Sequence, residues 1–468
     1  MLRPQGRNPP LTGKSCHGSL QCPAQERLSI KILAIYETDG ALSPASALAA
    51  RRSAHKQVEQ RKASALRQAI CLLGASSVGA FIATVARADE APAASAPANS
   101  HFGQLLSDYN LAISGYVDAS YLALVPSDAG IVEQLAYHEL GADSNSLALT
   151  QASLTVAMQP GSGLGGLVGL MAGRDVEYLP ARFADQFALE QAFGQYVTGT
   201  WTFQGGKFVT LAGAEDIAPT GNTNTSRSLL FFAEPLTHTG VRITEAVSEQ
   251  LSLIVGLNNG WAKCERNDGF ACGTGKTGEL AAIFTPNKEL SLSVQGYYGT
   301  EFFTPTGSYA GELRANRFLI DGVATYNATS SLTLSANLDY GSQANFDGDD
   351  HTASYVGSAL YLNFAFNDKW RASLRGEYVD DRDSHFFTVA ANSVMCTNAQ
   401  TTDFCRYRSN RVSEATLTIA YDPAKQLELR LEGRVDAASN RVFNTGANAP
   451  LGGTQSTFSA EALYRFGN

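Results

Sequence analysis

The stretch CERNDGFACGTGKTGEL, Cys264 to Leu280, contains the residue types of a phosphate-binding loop. Its Gly275-Lys276-Thr277 matches the end of such a loop, in which backbone amides and a lysine hold phosphate oxygens. A phosphate loop has four residues between its first glycine and the Gly-Lys-Thr, whereas five separate Gly269 from Gly275. It also needs a strand before it and a helix after it, so the surrounding elements decide the question.

Other residues that could do chemistry do not form a recognisable site. Gly161, Gly163 and Gly166 fit G-x-G-x-x-G, but they lie at a turn between two predicted strands and no helix follows. No serine has the G-x-S-x-G arrangement of a nucleophile elbow. We therefore predict no cofactor, no metal site and no catalytic residues. The alternative is a rim enzyme, an enzyme whose site lies in the outer loops of the chain, and its candidate residue is His351 beside Asp349 and Asp350.

A secretory signal peptide is predicted about 60 residues into the chain. A basic stretch at 61–67 precedes an apolar stretch at 69–85, and Ala-Arg-Ala at 86–88 fits a cleavage site. A buried helix is the alternative interpretation of the apolar stretch. We expect cleavage near Ala88 and a natural start near Val58.

The predicted domain boundaries follow from this signal. Residues 1–88 form an N-terminal extension and signal peptide, 89–109 a linker and barrel entry, and 110–468 a β-barrel. The first segment carries 12 of the 35 Lys and Arg and 4 of the 44 Asp and Glu. The remainder therefore has 23 basic and 40 acidic residues, a net charge of −17, which argues against nucleic-acid binding.

Apolar and polar residues alternate with a period of two from residue 110 onward, which predicts β-strands. KQLELRLEGRVD at 425–436 shows the pattern, with Leu, Gly and Val on one face and Glu, Arg and Asp on the other. Similar alternation occurs at 369–380, 332–340 and 290–298. Such strands fit either the sheet of a soluble protein with one solvent-exposed face or a membrane barrel with a polar lumen.

The connections between strands favour the membrane barrel. Short turns alternate with long polar loops along the whole chain, as in outer-membrane barrels, whereas a soluble β-sandwich has no reason to keep this order. The sequence therefore predicts an all-β transmembrane antiparallel β-barrel of about 16 strands, with short periplasmic turns and long extracellular loops. The predicted strands are 110–125, 145–159, 163–176, 187–199, 200–212, 239–247, 251–261, 277–286, 290–300, 317–327, 331–342, 353–366, 369–381, 411–421, 427–438 and 456–466.

The phosphate-loop interpretation fails within this organisation, because Cys264–Leu280 becomes the fourth long loop and leads into a strand. Cys264 and Cys272 lie close in sequence, as do Cys396 and Cys405 in the seventh long loop. Each pair is predicted to form a disulfide after export, worth about 2.5 kcal/mol for a ring of this size. Zinc binding is the rival interpretation, although neither pair has C-x₂-C spacing.

The third long loop, 213–238, combines charged residues with an apolar patch at 229–232. A loop that folds into the barrel and packs on its wall needs such a patch, and the third loop narrows the channel in sixteen-stranded general porins. NTSRSLLFFAEPLTHTGVR at 224–242, with ISGYVDASY, GGKFVTLAGAED and LSLIVGLNNGW, resembles the putative β-barrel porin-2 type family of Gram-negative outer membranes. The resemblance covers about 110–466 and implies an outer-membrane pore without catalytic residues. The sequence departs from the usual pattern in that Phe466 lies two residues before the end.

The predicted pore constriction places arginines of the late strands opposite the acidic residues of the third loop, which would produce a transverse field. In one alternative, neighbouring acidic and basic residues of the late strands neutralise one another within a solvated lumen. In another, charged residues beside the third loop anchor it electrostatically and do not meet solute. The candidate residues are Glu215, Asp216, Arg227, Glu234, Arg242, Arg371, Arg375, Arg430 and Arg434.

The predicted function is passive passage of small hydrophilic solutes or ions through the outer membrane. The negative net charge favours cations. Outer-membrane lipids and the solutes are the expected partners, and a homotrimer is a further candidate assembly. A plugged barrel acting as a rim enzyme or as a structural or adhesive protein is the alternative function.

Overall fold

The computed structural model describes residues 111–125, 135–138, 140–141, 145–158, 161–178, 182–184, 186–261, 275–303, 313–344, 351–383, 386, 409–443 and 452–467. Its strands form one continuous antiparallel sheet. The strands are β1 (Ala112–Val125), β2 (Ser146–Met158), β3 (Gly163–Ala172), β4 (Arg182–Ala184), β5 (Phe187–Thr198), β6 (Trp201–Val209), β7 (Thr237–Ala246), β8 (Leu251–Asn258), β9 (Thr277–Phe284), β10 (Leu290–Phe303), β11 (Leu313–Asn327), β12 (Leu332–Gln343), β13 (Ala353–Ala365), β14 (Trp370–Asp381), β15 (Asn410–Ala424), β16 (Leu427–Ala438) and β17 (Thr454–Gly467).

The sheet closes on itself because β1 pairs with β2 on one side and with β17 on the other. The β1–β17 register runs from Ser114 opposite Gly467 to Val125 opposite Ser456. Sixteen strands make up the ring. The three-residue β4 pairs with one end of β5 and is not counted among them, because β3 pairs directly with β5. This confirms the predicted sixteen-stranded antiparallel barrel. Among the described residues, no helix is both long and apolar enough to span a membrane.

Several strand ends differ from the sequence prediction. The predicted strand 163–176 ends at Ala172, and Gly173, with a φ of 119°, leads into a 3₁₀ turn at Arg174–Tyr178. Asp422-Pro423 was predicted as a turn but lies within β15, where the register with β16 shifts. A bulge accommodates the proline because it removes the requirement for a backbone N–H in the ladder. The short turn is therefore 425–426.

Four of the short turns use the same side-chain device. Ser248, Asn287, Thr329 and Asn367 each accept hydrogen bonds from the backbone N–H groups two and three residues later. Ser, Thr and Asn stabilise tight turns in this way because their short side chains replace a backbone acceptor. These residues fix the length of the turn and hence the register of the strands that it joins.

The alternating strands present their apolar face outward and their polar face to the interior. On β16, Leu431 and Val435 are exposed, whereas Arg430 and Arg434, each next to one of them in the sequence, are almost completely buried. This is the inverse of a soluble sheet and fits a barrel whose outer surface contacts lipid. The outward apolar face continues around the ring in Leu164, Leu257, Leu338 and Leu360, among others.

Exposed aromatic residues form a girdle at each end of the outer surface, as expected at the two membrane–water interfaces. At the short-turn end they include Tyr196, Trp201, Phe203, Phe284, Tyr326, Phe364, Phe366, Trp370, Tyr464 and Phe466. At the long-loop end they include Tyr121, Phe187, Tyr298, Tyr340 and Tyr378. Trp370 and Tyr421 stack with their ring centroids 4.5 Å apart. An apolar band lies between the girdles, as in membrane-spanning barrels.

The largest buried apolar cluster lies inside the ring and not between two layers of structure. It joins Leu229 and Leu230, from the connection between β6 and β7, to inward side chains such as Tyr355 and Val379 of β13 and β14. Tyr137 and Phe443, from two other long connections, belong to the same cluster. The interior therefore contains ordered chain in addition to side chains of the wall.

We expect Leu360→Arg to lower the free energy of unfolding by about 2–4 kcal/mol, because Leu360 lies in the middle of β13 and faces lipid. The measurement is denaturant unfolding in lipid vesicles. Leu360→Phe, which stays apolar, should change the value little. Equal stability of the Leu360→Arg variant and the unaltered protein would contradict the assignment of this face to lipid.

Candidate functional site

The chain between β6 and β7, residues 210–236, folds into the barrel and is called the inward segment here. It contains a 3₁₀ turn at Pro219–Gly221 and one short helix, α1, at Leu229–Ala233. Ser228 caps α1, since its hydroxyl oxygen accepts a hydrogen bond of 3.0 Å from the Phe231 N–H. The helix begins where the polar run of the segment changes to Leu-Leu-Phe-Phe.

The apolar residues of α1 pack against the inner surface of β13 and β14. Leu229 and Leu230 are fully buried there, next to Ala359 and Val379. Gly357 of β13 provides the necessary space, because a Cβ at this position would lie 2.2 Å from a methyl carbon of Leu230. The apolar patch of the loop thus contacts the barrel wall, as its composition predicts.

Arg375 of β14 joins the wall to the polar half of the inward segment. Its Nη1 lies 2.8 Å from Glu215 Oε1 and 2.7 Å from the Ser226 carbonyl oxygen. Its Nε donates to Glu414 Oε2 of β15 at 3.1 Å. The guanidinium is completely buried, so it is not accessible from the lumen.

Arg430 and Arg434 of β16 bind the segment in the same manner. Arg430 Nη2 donates to the carbonyl oxygen of Asn222 at 2.9 Å, while its Nε contacts Glu428 at 2.7 Å. Arg434 Nη1 donates to the Arg227 carbonyl oxygen at 2.6 Å. Planar guanidinium groups suit this position because they donate to a carboxylate and to backbone carbonyls at once.

Carboxylates of the wall accept hydrogen bonds from the backbone N–H groups of the segment. Glu432 accepts from Thr225 and Ser226, at 2.7 and 3.0 Å, and Glu377 accepts from Leu229 at 2.7 Å. The polar faces of β14 to β16 therefore supply both donors and acceptors to one stretch of chain. Buried charges are tolerable only with such partners, because isolated burial costs several kcal/mol per ion.

Arg227 stabilises the segment from within. Its guanidinium donates to the carbonyl oxygens of Asp216, Thr225 and Ile217 at 2.8, 3.0 and 2.6 Å. These bonds bring the two ends of the 216–227 stretch together around the 3₁₀ turn. Arg227 is buried, so its charge acts on the conformation of the segment.

The first long loop also takes part, which the sequence did not reveal. The Tyr137 carbonyl oxygen accepts from Arg434 at 3.4 Å, and His138 Nε2 lies 3.8 Å from Asp436. Burial and the charge of Arg434 lower the pKa of His138. Scattered single residues in a loop carry no sequence pattern that indicates such a contact.

Arg242 and Arg371 form ion pairs with carboxylates of the wall, and Arg371 shares Glu428 with Arg430. Arg242 of β7 pairs with Glu279 at 2.7 Å and lies 4.1 Å from the centroid of the Phe208 ring. Arg371 of β14 is partly exposed near the short-turn end and contacts Glu428 and Asp422. Arg242 therefore supports the wall beside the inward segment, while Arg371 remains partly accessible on the inner face.

One edge of the inward segment, called the solvent-facing edge, is exposed while the opposite side contacts the wall. It consists of Ala214, Asp216, Thr220, Gly221 and Thr223. Asp216 is the acidic residue of this edge. The lumen-facing positions of the strands towards the short turns are polar and half-buried, for example Thr155, Gln195, Gln204, Ser293, Thr325, Ser335 and Asn363.

The remaining predicted residues are placed as follows. Glu234 lies after α1, where its carboxylate lies near those of Asp321 and Asp339. His351 Nε2 at the long-loop rim lies 3.9 Å from Asp383 Oδ1. Asp349 and Asp350, and the four cysteines Cys264, Cys272, Cys396 and Cys405, lie outside the described residues.

A family profile described as putative β-barrel porin-2, OmpL-like, matches residues 110–466 of the chain. This confirms the resemblance found in the sequence, over the same residues. Among curated protein sequences, none matches the chain.

Solved structures of outer-membrane proteins are similar in fold. The trimer form of OmpT of Vibrio cholerae is 11% identical, with a TM-score of 0.50 over 76% of this chain and 99% of that chain. Outer-membrane expressed OmpT of Vibrio cholerae is 12% identical, with a TM-score of 0.50 over 76% and 97%. OprB of Pseudomonas putida is 10% identical, with a TM-score of 0.50 over 78% and 96%. At these identities the similarity shows the fold alone.

We expect Arg375→Met to detach part of the inward segment, since it leaves Glu215, Glu377 and Glu414 without their shared cation. Breaking a buried ion pair costs about 3–5 kcal/mol. Hydrogen exchange of residues 210–236 should therefore become faster while the barrel strands stay protected.

The matched control is Arg411→Met, which removes an exposed arginine that lies 3.8 Å from Asp380. Exposed pairs contribute about 0–1 kcal/mol, so exchange in the inward segment should not change. Unchanged exchange in the Arg375→Met variant would show that the arginine does not hold the segment.

Proposed function

Because the chain belongs to the putative β-barrel porin-2, OmpL-like family, we propose that it is an outer-membrane porin and forms a passive, water-filled channel for small hydrophilic solutes or ions. The observation that carries this proposal is the position of the inward segment. Its charged contacts hold it against β14 and β16 and leave its solvent-facing edge in the lumen. A loop fixed to one side of a barrel narrows a channel without needing to fill it.

The polar inner wall supports passage of water and hydrophilic solutes. Sixteen-stranded barrels have room for an aqueous lumen, whereas eight-stranded barrels are filled by their own side chains. The half-buried glutamines, serines and threonines towards the short-turn end give this lumen hydrogen-bonding groups and few charges. Such a surface is wetted but binds no solute tightly, as passive passage requires.

The narrowest part of the proposed channel lies between the solvent-facing edge and the wall opposite it. Arg375, Arg430 and Arg434 act there as positioning residues, since they bind the side of the segment that faces the wall. Asp216 on the edge and Arg371 below it are the charges that a passing ion encounters. With the net charge of −17 after cleavage, Asp216 favours cations.

We propose no catalytic activity for the rim. His351 and Asp383 form a histidine–carboxylate pair at 3.9 Å. A hydrolase would also need a nucleophile in hydrogen-bond contact with the histidine. An ester-hydrolysis assay of the purified protein and of its His351→Ala variant tests this, and activity lost in the variant would favour a rim enzyme.

Export and assembly belong to the same proposal. The predicted signal peptide delivers the chain to the periplasm, and outer-membrane lipids then surround the apolar band between the aromatic girdles. We propose a homotrimer, in keeping with the trimer form of OmpT of Vibrio cholerae. The molar mass of the protein–detergent complex, corrected for detergent, distinguishes a trimer from a monomer.

In a planar lipid bilayer under a salt gradient, we expect the mature protein to give discrete conductance steps and a reversal potential of cation-selective sign. Asp216→Asn should shift this potential towards zero, because it removes an exposed carboxylate from the solvent-facing edge. The matched control is Asp368→Asn, which removes the same charge from a short turn outside the lumen.

The two parts of the proposal fail in different ways. A correctly folded barrel without conductance steps would overturn the channel and favour a plugged structural or adhesive protein. If conductance steps occur but the reversal potential shifts equally in both variants, the channel is supported and the placement of Asp216 at its narrowest part is wrong.

A further inference from the structure

Three buried carboxylates meet where the inward segment ends. Glu234 follows α1, Asp321 lies on β11 and Asp339 lies on β12. One oxygen of each lies within 4.8 Å of an oxygen of the other two. All three side chains are buried.

Neutral groups surround the two aspartates. The Gly213 N–H donates to Asp321 Oδ1 at 3.0 Å, and the Asn337 amide donates to both aspartates. The Tyr355 hydroxyl lies 3.4 Å from Asp339 Oδ2. These donors hold the carboxylates in position, but none of them supplies a positive charge.

One oxygen of Glu234, the buried Oε1, has no hydrogen-bond partner among the described residues. Within the described part of the chain, no Lys, Arg or His nitrogen forms an ion pair with any of the three carboxylates. Burial, followed by the charges of Asp321 and Glu215, raises the pKa of Glu234 well above its ordinary value. Three buried carboxylates without a counterion are costly.

The backbone beside Glu234 is shaped for the close approach of the carboxylate. Gly213 has a φ of 88°, and a Cβ there would lie 2.0 Å from Glu234 Oε2. Only glycine combines this left-handed conformation with space for the carboxylate. The chain thus brings Glu234 towards Asp321 and Asp339 and does not separate the like charges.

We propose that Glu234, Asp321 and Asp339 form a binding site for a divalent cation of the Ca²⁺ type. Calcium binds six to eight oxygen ligands at about 2.3–2.6 Å, so two oxygens on one ion lie at most about 5 Å apart. The spacing of the three carboxylates fits this limit. Water molecules complete the coordination, and the lining contains oxygen donors in place of the nitrogen or sulfur ligands that zinc prefers.

Such an ion would fix the second end of the inward segment. Arg375, Arg430 and Arg434 hold residues 215–228 against β14 and β16, whereas the cation would join Glu234 to β11 and β12. The two anchors lie on either side of α1 in the sequence. The position of the segment would therefore respond to the cation concentration outside the cell, which goes beyond passive passage.

The test uses Tb³⁺, which replaces Ca²⁺ at oxygen sites and emits when a nearby aromatic ring absorbs light. Tyr355 provides this ring beside Asp339. Refolded mature protein in an uncharged detergent should give saturable emission that Ca²⁺ displaces. Glu234→Gln and Asp339→Asn should each weaken Tb³⁺ binding by about tenfold or more, since affinity follows the number of charged ligands. Asp368→Asn on an exposed turn should bind as the unaltered protein does.

A second measurement keeps the proposal testable if one variant does not fold. Ca²⁺ should raise, and a chelator should lower, the denaturation midpoint of the unaltered protein, because a ligand that binds only the folded state stabilises it. Absence of saturable emission from the folded barrel, or Tb³⁺ binding by both variants as tight as that of the unaltered protein, would overturn the site.

A shared proton is the competing way to relieve the repulsion. The charged groups that face Glu234 are Asp321, Asp339, Glu215 and Glu377, and Arg317 acts on the adjacent Tyr355. A carboxyl whose pKa is raised by folding destabilises the folded state most above its folded pKa, and this cost decreases as pH falls from the folded pKa to the unfolded pKa. Stability that rises on acidification and ignores Ca²⁺ would overturn the cation site. Stability at neutral pH that rises with Ca²⁺ would support it.

Discussion

The absence of hydrogen-bonding partners in lipid is the constraint on which the rest of this structure depends. Every backbone N–H and C=O group of a spanning strand must pair with a neighbouring strand, so the sheet has to close. Closure through β1 and β17 then fixes which face of each strand meets lipid and which faces the interior. The inverted pattern of apolar residues outside and buried charges inside is the direct result.

A ring of sixteen strands creates a second problem, because its polar inner wall encloses more space than its side chains fill. The inward segment occupies part of this space, and its backbone bonds to the wall as if it were an additional layer of structure. Arginines donate to its carbonyl groups, and carboxylates accept from its N–H groups. The wall and the segment itself satisfy most buried polar groups of residues 215–229, so the segment has a defined position.

This arrangement divides the charges of the interior into two classes. Arginines that contact the segment are buried and hold it in position, whereas Asp216 and Arg371 are accessible and are the charges that an ion would meet in the proposed channel. The acidic group at Glu234 belongs to neither class, since its three carboxylates are buried and form no ion pair with an arginine among the described residues. A bound cation would explain both its burial and its place at the end of the segment.

Residue alternation and turn composition alone were sufficient to predict the barrel, its sixteen strands and the inward course of the third loop. They were sufficient because a strand has a period of two, and because Leu-Leu-Phe-Phe in a polar loop needs an apolar surface. Strand ends were less predictable, since a bulge at Asp422-Pro423 extends β15 beyond a sequence that otherwise indicates a turn.

The sequence also identified the arginines of β14 and β16 as residues of the inner face, but it did not identify their partners. Arg375 meets Glu215 across 160 positions of the chain, and Asp321 meets Gly213 across 108. The sequence by itself determined which face of every strand is polar, because that depends on local periodicity. Only the tertiary structure decided whether those polar groups face water, an oppositely charged group or each other, because that depends on how a distant loop folds across them.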